Sequence, residues 1–164
     1  MNFYLIVFIT AIIFYCYCYF IFPSSISILQ TTIKDFNFSL LHLRQPIVIS
    51  DYLHDKDKLV YSWFNYNTIK QLYNEDNDDE NNNWQHNNNK YLFINANNDT
   101  EIIIHKASFN FTIPDENDKI IAIKLEKDQS LIIPYKWKYY INNKNDVIIW
   151  TIDDYITSFL KLLF

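Results

Sequence analysis

Residues 119–152 read KIIAIKLEKDQSLIIPYKWKYYINNKNDVIIWTI, and they carry the strongest signal of fold class in the chain. The stretch divides into four short runs, separated by Asn, Asp, Glu or Pro: KIIAIKL at 119–125, SLIIP at 130–134, KWKYYI at 136–141 and DVIIWTI at 146–152. Residues with β-branched or aromatic side chains favour strands, and closely spaced polar turns are typical of antiparallel neighbours. The stretch therefore predicts four strands of an antiparallel sheet.

Similar runs lie on the N-terminal side of this stretch and extend the prediction. They are a first strand around Ile26 to Thr32, IVIS at 47–50, YLFINA at 91–96, EIIIHKA at 101–107 and FNFTI at 109–113. Strands so close together along the chain favour an antiparallel sandwich or a small barrel. We therefore expect a mainly β domain with a few helices.

Three other segments have a different character. From Lys58 to Tyr73 the apolar residues have loosely helical spacing, which predicts a helix. Residues 74–90, NEDNDDENNNWQHNNNK, are strongly polar and predict a mobile loop. Asp153 and Asp154 are placed to cap a final amphipathic helix, with an apolar face formed by Tyr155, Ile156, Phe159, Leu160 and Leu163.

The N-terminal 22 residues contain no charged side chain, and Pro23 follows them. About 20 apolar residues are enough for a helix to cross a bilayer. A cleaved signal peptide is the alternative, but it would need a basic start and small residues at the cleavage site. No Lys or Arg precedes Lys34, and bulky Tyr19 and Phe20 occupy the cleavage region. We therefore predict a transmembrane anchor over residues 1–23 that contacts lipid through 3–22, with its orientation left open.

The composition excludes several classes of function. The formal net charge is −5 and no basic run is present, so binding of nucleic acid through phosphate contacts is not expected. Glycine is absent, so neither a P-loop nor a dinucleotide fingerprint can be written, and Asn or Asp should occupy turns of positive φ. Cys16 and Cys18 both lie in the predicted anchor, which leaves no disulfide framework for the domain. The abundance of Asn, Ile and Lys without Gly indicates an AT-rich genome.

Three segments resemble the JmjC-like cupins. QPIVISDY at 45–52 is similar to the first strand of that family, and YLFINANNDTEIIIHKA at 91–107 is similar to the strands around its first metal-binding motif. LEKDQSLIIPYKWKYYI at 125–141 resembles the later segment, in which Pro precedes a Trp-x-His motif. The resemblance implies a cupin-like double-sheet fold over 45–164, with the polar loop 74–90 inside it, joined to the anchor by a tether and first strand at 24–44.

The resemblance also implies a position for a metal site. Active members hold Fe(II) with two histidines and one carboxylate, leaving room for 2-oxoglutarate and oxygen. His105 matches the first ligand, but Ala107 stands at the carboxylate position and Tyr139 at the second histidine. Two of the three expected ligands are therefore replaced. We predict no cofactor, and we expect His105, Trp137 and Tyr139 to line or fill the former cofactor cavity.

Three functions follow from these patterns. The leading hypothesis is a non-catalytic, membrane-anchored cupin-like module that binds a ligand or has a structural role. The second is an Fe(II)/2-oxoglutarate oxygenase in which His105 acts with an unusual carboxylate such as Asp99 or Glu101. The third is a membrane-associated assembly protein, whose Asn-rich loop or closing helix contacts a protein partner. The substrate, partner and oligomeric state are not indicated by the sequence.

Overall fold

The computed structural model describes residues 3–20, 23, 25–53, 55–72, 84–106, 119–155, 157, 158 and 161. Two α-helices lie within these residues, α1 (Phe3–Phe20) and α2 (Lys56–Trp63), together with short 3₁₀ helices at Phe38–Leu43 and Lys144–Asp146. The strands are β1 (Leu29–Thr31), β2 (Ile47–Ile49), β3 (Thr68–Leu72), β4 (Gln85–His86), β5 (Tyr91–Ala96), β6 (Thr100–Lys106), β7 (Ile120–Leu125), β8 (Ser130–Pro134), β9 (Trp137–Ile141) and β10 (Val147–Asp153).

The strands form two sheets, and almost all pairs are antiparallel. The six-stranded sheet has the order β1-β2-β8-β5-β10-β3, and the four-stranded sheet has the order β4-β9-β6-β7. Only β1 and β2 pair in parallel among the described strands. The prediction of a mainly β, antiparallel sandwich is confirmed.

Apolar side chains form two layers around the six-stranded sheet. We call the layer between the two sheets the inner core; it contains buried residues from both of them, including Leu92, Ile94, Ile102, Ile104, Leu131, Ile133, Trp137 and Tyr139. The outer core covers the other face of the six-stranded sheet. There Leu41 of the first 3₁₀ helix, Val60 of α2 and Phe64, which directly follows α2, form a cluster with Phe93 and Trp150. Because successive residues of a strand point to opposite faces, a central strand such as β5 supplies both layers.

Two segments differ from the prediction. The helix predicted from Lys58 to Tyr73 ends at Trp63, and Thr68–Leu72 is instead an edge strand paired with β10. Within the polar segment 74–90, Gln85 and His86 pair with β9, and Asn87 is buried. Both strands depend on partners distant in sequence, so local composition gave no signal for them. The predicted strand at 109–113 lies outside the described residues.

The expectation that Asn or Asp would replace glycine in left-handed turns is wrong in two of three cases. The described residues of positive φ are Asp128 at 67°, Arg44 at 52° and Lys136 at 70°. A left-handed conformation costs a non-glycine residue of the order of 1 kcal/mol, which the surrounding contacts must offset. At Lys136 the backbone N–H donates to the carbonyl oxygen of Asn87 at 2.9 Å, which fixes the turn between β8 and β9.

Helix α1 is described over 18 residues and contains no charged side chain. Phe3, Tyr4, Phe8 and Ile13 are among its exposed apolar residues. In the part of the chain that the structure describes, no helix is both long and apolar enough to cross a bilayer. The transmembrane anchor of residues 1–23 stays a prediction.

Hydrogen bonds and ion pairs join the C-terminal segment to the turn between β4 and β5. Asp154 accepts hydrogen bonds from the Lys90 ammonium and from the backbone N–H of Thr157, which confirms Asp154 as a cap of the following helical residues. Lys161 donates to Asp153 on the same surface. Tyr155, predicted on the apolar face of this helix, is instead exposed.

The Asp154 contact predicts a loss of stability in acid. Burial alone would raise the pKa of Asp154, but hydrogen bonds from Lys90 and Thr157 outweigh it and hold the pKa at about 2, below the ordinary 3.8. The folded state therefore binds this proton less readily than the unfolded state, so the contribution is complete above pH 3.8 and is lost as the pH falls towards 2. Because the pair is partly solvated, we expect about 1 kcal/mol.

Urea unfolding of the wild type and of Asp154→Asn across pH 2–6 checks this expectation. The variant should be less stable near pH 6, and the difference should shrink as the pH falls through the window. Asp57→Asn, which neutralises an exposed carboxylate on α2, serves as the control. A stability difference for Asp154→Asn that is independent of pH would contradict the assignment.

Candidate functional site

The candidate site predicted from the sequence lies on the neighbouring strands β6 and β9. Their register pairs Ile104 with Tyr139 and His105 with Lys138. Residues directly opposite in an antiparallel pair point to the same face, and their neighbours along the strand point to the other. Tyr139 therefore lies on the inner face with Ile104, whereas His105 lies on the outer face with Lys138. The structure does not bring His105 and Tyr139 together.

The inner face of this strand pair is closely filled. Trp137 and Ile104 have 0% of their surface exposed and Tyr139 has 5%, and all three belong to the inner core. A side chain without accessible surface has no water-sized space beside it. Burial also raises the pKa of the Tyr139 hydroxyl to about 12, so the phenol is neutral at physiological pH. Trp137 and Tyr139 fill this part of the sandwich instead of lining an open cavity.

Trp137 also forms a hydrogen bond that joins the inner core to the segment before β2. Its indole Nε1–H donates to the carbonyl oxygen of Arg44 at 3.0 Å. Arg44 directly follows the first 3₁₀ helix as its C-cap and has a left-handed φ of 52°. This hydrogen bond gives the buried indole N–H a partner, and it also holds the left-handed turn at Arg44 in place.

The outer face of the four-stranded sheet, which points away from the inner core, carries a separate group of aromatic and cationic residues. His105 is fully buried there, and the ring of Trp84 meets it edge-on with centroids 4.7 Å apart. Trp84 also contacts Tyr140, and His86 pairs with Lys138 across β4 and β9. Trp84 and His86 were assigned to a mobile loop by their composition. Instead, Trp84 covers His105.

The charge around His86 is positive. Partial burial lowers the pKa of His86, and the charges of Lys138 and Lys136 lower it further, against a hydrogen bond with Asn88 that raises it. The imidazole is therefore neutral at pH 7. Lys138 is itself buried, with only 6% of its surface exposed.

The donors implied by the resemblance do not fit an Fe(II) centre in this arrangement. Tyr139 and His105 lie on opposite faces of one sheet, and Ala107 lies outside the described residues. The alternative carboxylate Glu101 shares the outer face with His105 but is four positions away, about 13 Å along the strand. Asp99 lies further away and accepts the backbone N–H of Lys127. Ligands of one metal need to converge within a few ångströms, so these groups do not form a facial triad.

No group of three His, Cys, Asp or Glu side chains in the described ranges is placed to hold a metal ion. The polar residues that do approach Tyr139 belong to β4 and to the turn after it. Gln85 is directly opposite Tyr139, and Asn87 continues on the same face.

Asn87 has a structural role that the sequence did not indicate. Its side-chain amide donates to the carbonyl oxygens of Ile133 and Pro134 at 2.8 and 2.9 Å. Its side-chain oxygen accepts the backbone N–H of Asn89 at 2.9 Å. The amide joins the end of β8 to the start of β5, and its hydrogen bonds offset its burial. The alternation of Trp84 and His86 with the amides Gln85 and Asn87 was a signal for a strand, but the surrounding Asn-rich run obscured it.

No family model, curated protein or solved structure matches the chain. The inner face of the β6–β9 strand pair is packed apolar core, and on its outer face His105 is buried under Trp84.

Proposed function

We propose that this protein is a non-catalytic, membrane-anchored module with a cupin-like fold and a structural or assembly role. One observation carries the proposal: Trp137 and Tyr139 fill the inner face of the strand pair that would hold the metal centre. An oxygenase needs open coordination positions and space for its cosubstrate. An inner face occupied by two large aromatic side chains offers neither.

The strand order supports a cupin-like double sheet. Counted from β3, eight strands are distributed so that β3, β5, β8 and β10 lie in the larger sheet and β4, β6, β7 and β9 in the smaller one. The chain crosses between the sheets at nearly every connection, and the only hairpin within one sheet joins β6 to β7 among the described strands. Two four-stranded antiparallel sheets joined in this way are the arrangement of jelly rolls and cupins.

The uncharged N-terminus supports the anchoring part of the proposal. The run 3–22 has about the length that a bilayer requires. Helix α1 exposes large apolar side chains along its described length, from Phe3 to Ile13. Exposed apolar surface of this extent costs free energy in water and favours transfer into lipid.

Measurement of Fe(II) binding tests the non-catalytic assignment. The full chain in lipid nanodiscs would be titrated with Fe(II) under anaerobic conditions, with and without 2-oxoglutarate. We expect no stoichiometric binding in either case, because the oxygenase donors do not converge. His105→Gln keeps a polar side chain at the buried position, and His42→Gln on the exposed 3₁₀ helix is the matched control.

One bound equivalent of Fe(II) that is lost in His105→Gln and kept in His42→Gln would overturn the proposal. It would show that His105 recruits donors that the resemblance did not identify. Circular dichroism melts of both variants establish that the chains compared are folded. Binding lost equally in both variants would indicate a surface effect and would leave the buried face without a metal role.

A further inference from the structure

The two ends of the sandwich differ in charge. We call the end at which β2 begins and β8 ends the proximal end, because the chain reaches it from α1 before β1 begins. The cations at or beside this end include Arg44, Lys90, Lys106, Lys119, Lys136, Lys138 and Lys161, and Lys90 and Lys161 pair with Asp154 and Asp153. The opposite, distal end carries Asp99, Glu126, Asp128 and Asp146 in its turns, with Lys127, Lys144 and Lys56, the last of which pairs with Asp128.

The segment that follows α1 is held against the proximal end. Gln45 is buried, accepts the backbone N–H of Ser27 at 3.0 Å and donates to the carbonyl oxygen of Ser25 at 2.6 Å. Ile26 and Ile28 pack against the inner core on either side of this contact. Ser25 follows Phe20 by five positions, so the proximal end lies within about 18 Å of the end of α1.

An apolar residue and two cations meet on the proximal surface. Leu43 ends the first 3₁₀ helix with 52% of its surface exposed. The next residue is Arg44, whose carbonyl oxygen accepts the indole N–H of Trp137 at 3.0 Å, and this contact places Lys136, the residue before Trp137, beside it. Burial lowers the pKa of Lys136, and the charge of Arg44 lowers it further. Both cations occupy left-handed conformations that other residues adopt at lower cost. An exposed Leu beside two cations is the composition of surfaces that lie in the headgroup region of a membrane.

We propose that Leu43, Arg44 and Lys136 form a docking surface for anionic phospholipid headgroups, which orients the sandwich with its proximal end on the bilayer. This inference rests on the proposed anchoring by α1. Leu43 enters the boundary between headgroups and acyl chains, and the guanidinium and ammonium groups bind phosphate or carboxylate oxygens. Because α1 already holds the domain at the surface, these few contacts act at a high effective concentration.

Fluorescence of the full chain in nanodiscs tests the orientation. An environment-sensitive fluorophore would be attached to single cysteines made by Leu43→Cys, Tyr52→Cys and Ile13→Cys, in a chain carrying Cys16→Ala and Cys18→Ala. Tyr52 is the matched control, because it is 59% exposed and lies at the distal end, after β2. In bilayers containing phosphatidylserine, emission from position 43 should shift to the blue and be quenched by spin-labelled lipid, whereas position 52 should show neither effect.

The probe in α1 distinguishes a failure of the docking surface from a failure of the anchor. Quenching at position 13 with position 43 no more quenched than position 52 would overturn the docking surface and leave the anchor intact. Absence of quenching at position 13 would overturn the proposed anchor and the docking surface with it. Equal quenching at position 43 in phosphatidylcholine alone would overturn the role of anionic lipid.

Removal of the two cations tests their share of the docking. Arg44→Gln together with Lys136→Gln should lower the ratio of docked to undocked domains, read from the fluorophore at position 43, about fivefold for each charge. Lys127→Gln with Lys144→Gln removes the same charge from the distal end and should leave that ratio unchanged. An equal effect of both pairs would show that net charge alone, and not this surface, governs the docking.

Discussion

Replacement of Trp137 with alanine is expected to lower the free energy of unfolding by about 3–5 kcal/mol. The side chain is fully buried in the inner core, so its removal leaves a cavity among residues of both sheets. The carbonyl oxygen of Arg44 also loses its hydrogen-bond donor, at a turn that is already left-handed. A loss of this size is comparable with the whole stability of many domains.

Urea unfolding followed by circular dichroism measures this effect. Trp137→Phe retains an aromatic ring but cannot donate to Arg44, and should cost about 1–2 kcal/mol. Tyr140→Ala removes an aromatic side chain from the same strand on the opposite, partly exposed face, and should cost clearly less than Trp137→Ala. If Trp137→Ala were no more damaging than Tyr140→Ala, the assignment of Trp137 to the centre of the core would be wrong.

On the proposed anchoring through residues 3–22, introduction of two lysines into α1 is expected to release the protein from membranes. Ile9 and Ile13 lie near the middle of the uncharged run and are 44% and 62% exposed. A lysine at the centre of a membrane helix costs about 2.5–3.5 kcal/mol for insertion, so Ile9→Lys with Ile13→Lys opposes insertion at two positions. The double variant should therefore be extracted by alkaline carbonate and should not float with liposomes, whereas the wild type should resist extraction and float.

The matched control adds the same charge outside the helix. Tyr61→Lys with Tyr66→Lys places two lysines at exposed tyrosines of the β domain, and this variant should float like the wild type. Flotation of the α1 variant equal to that of the control would contradict anchoring through residues 3–22. Near-ultraviolet circular dichroism of both variants establishes that the sandwich has the same packing in each.

Strands with strong local composition could be predicted from the sequence. β5, β8, β9 and β10 are runs of β-branched and aromatic residues bounded by polar turns, and each lies within one or two positions of its predicted bounds. β3 was predicted as helix because Lys and Gln separate its apolar residues, and its strand state follows from pairing with β10. β4 has only two residues and lies in a polar segment. It was not predicted, because it forms a strand only by pairing with β9, which lies more than 50 positions away.

The geometry of the candidate site could not be predicted, because it depends on strand register. A shift of one residue moves every side chain of a strand to the opposite face. The sequence gives no direct measure of whether His105 lies opposite Lys138 or opposite Tyr139. The structure selects Lys138, so two residues predicted to share a cavity lie on different faces of the sheet. Burial of Asn87 was equally unpredictable, because its carbonyl partners belong to β8.

The packed inner face is the central claim, and enlargement of one of its side chains tests it most directly. Ile104 is fully buried opposite Tyr139, whereas its neighbour Ile103 points to the outer face and is partly exposed. In a filled core, Ile104→Phe should lower the free energy of unfolding by about 1–3 kcal/mol, and Ile103→Phe should change it by less than about 0.5 kcal/mol. An Ile104→Phe variant as stable as the wild type, or more stable, would show that space remains beside Tyr139 and would contradict the account.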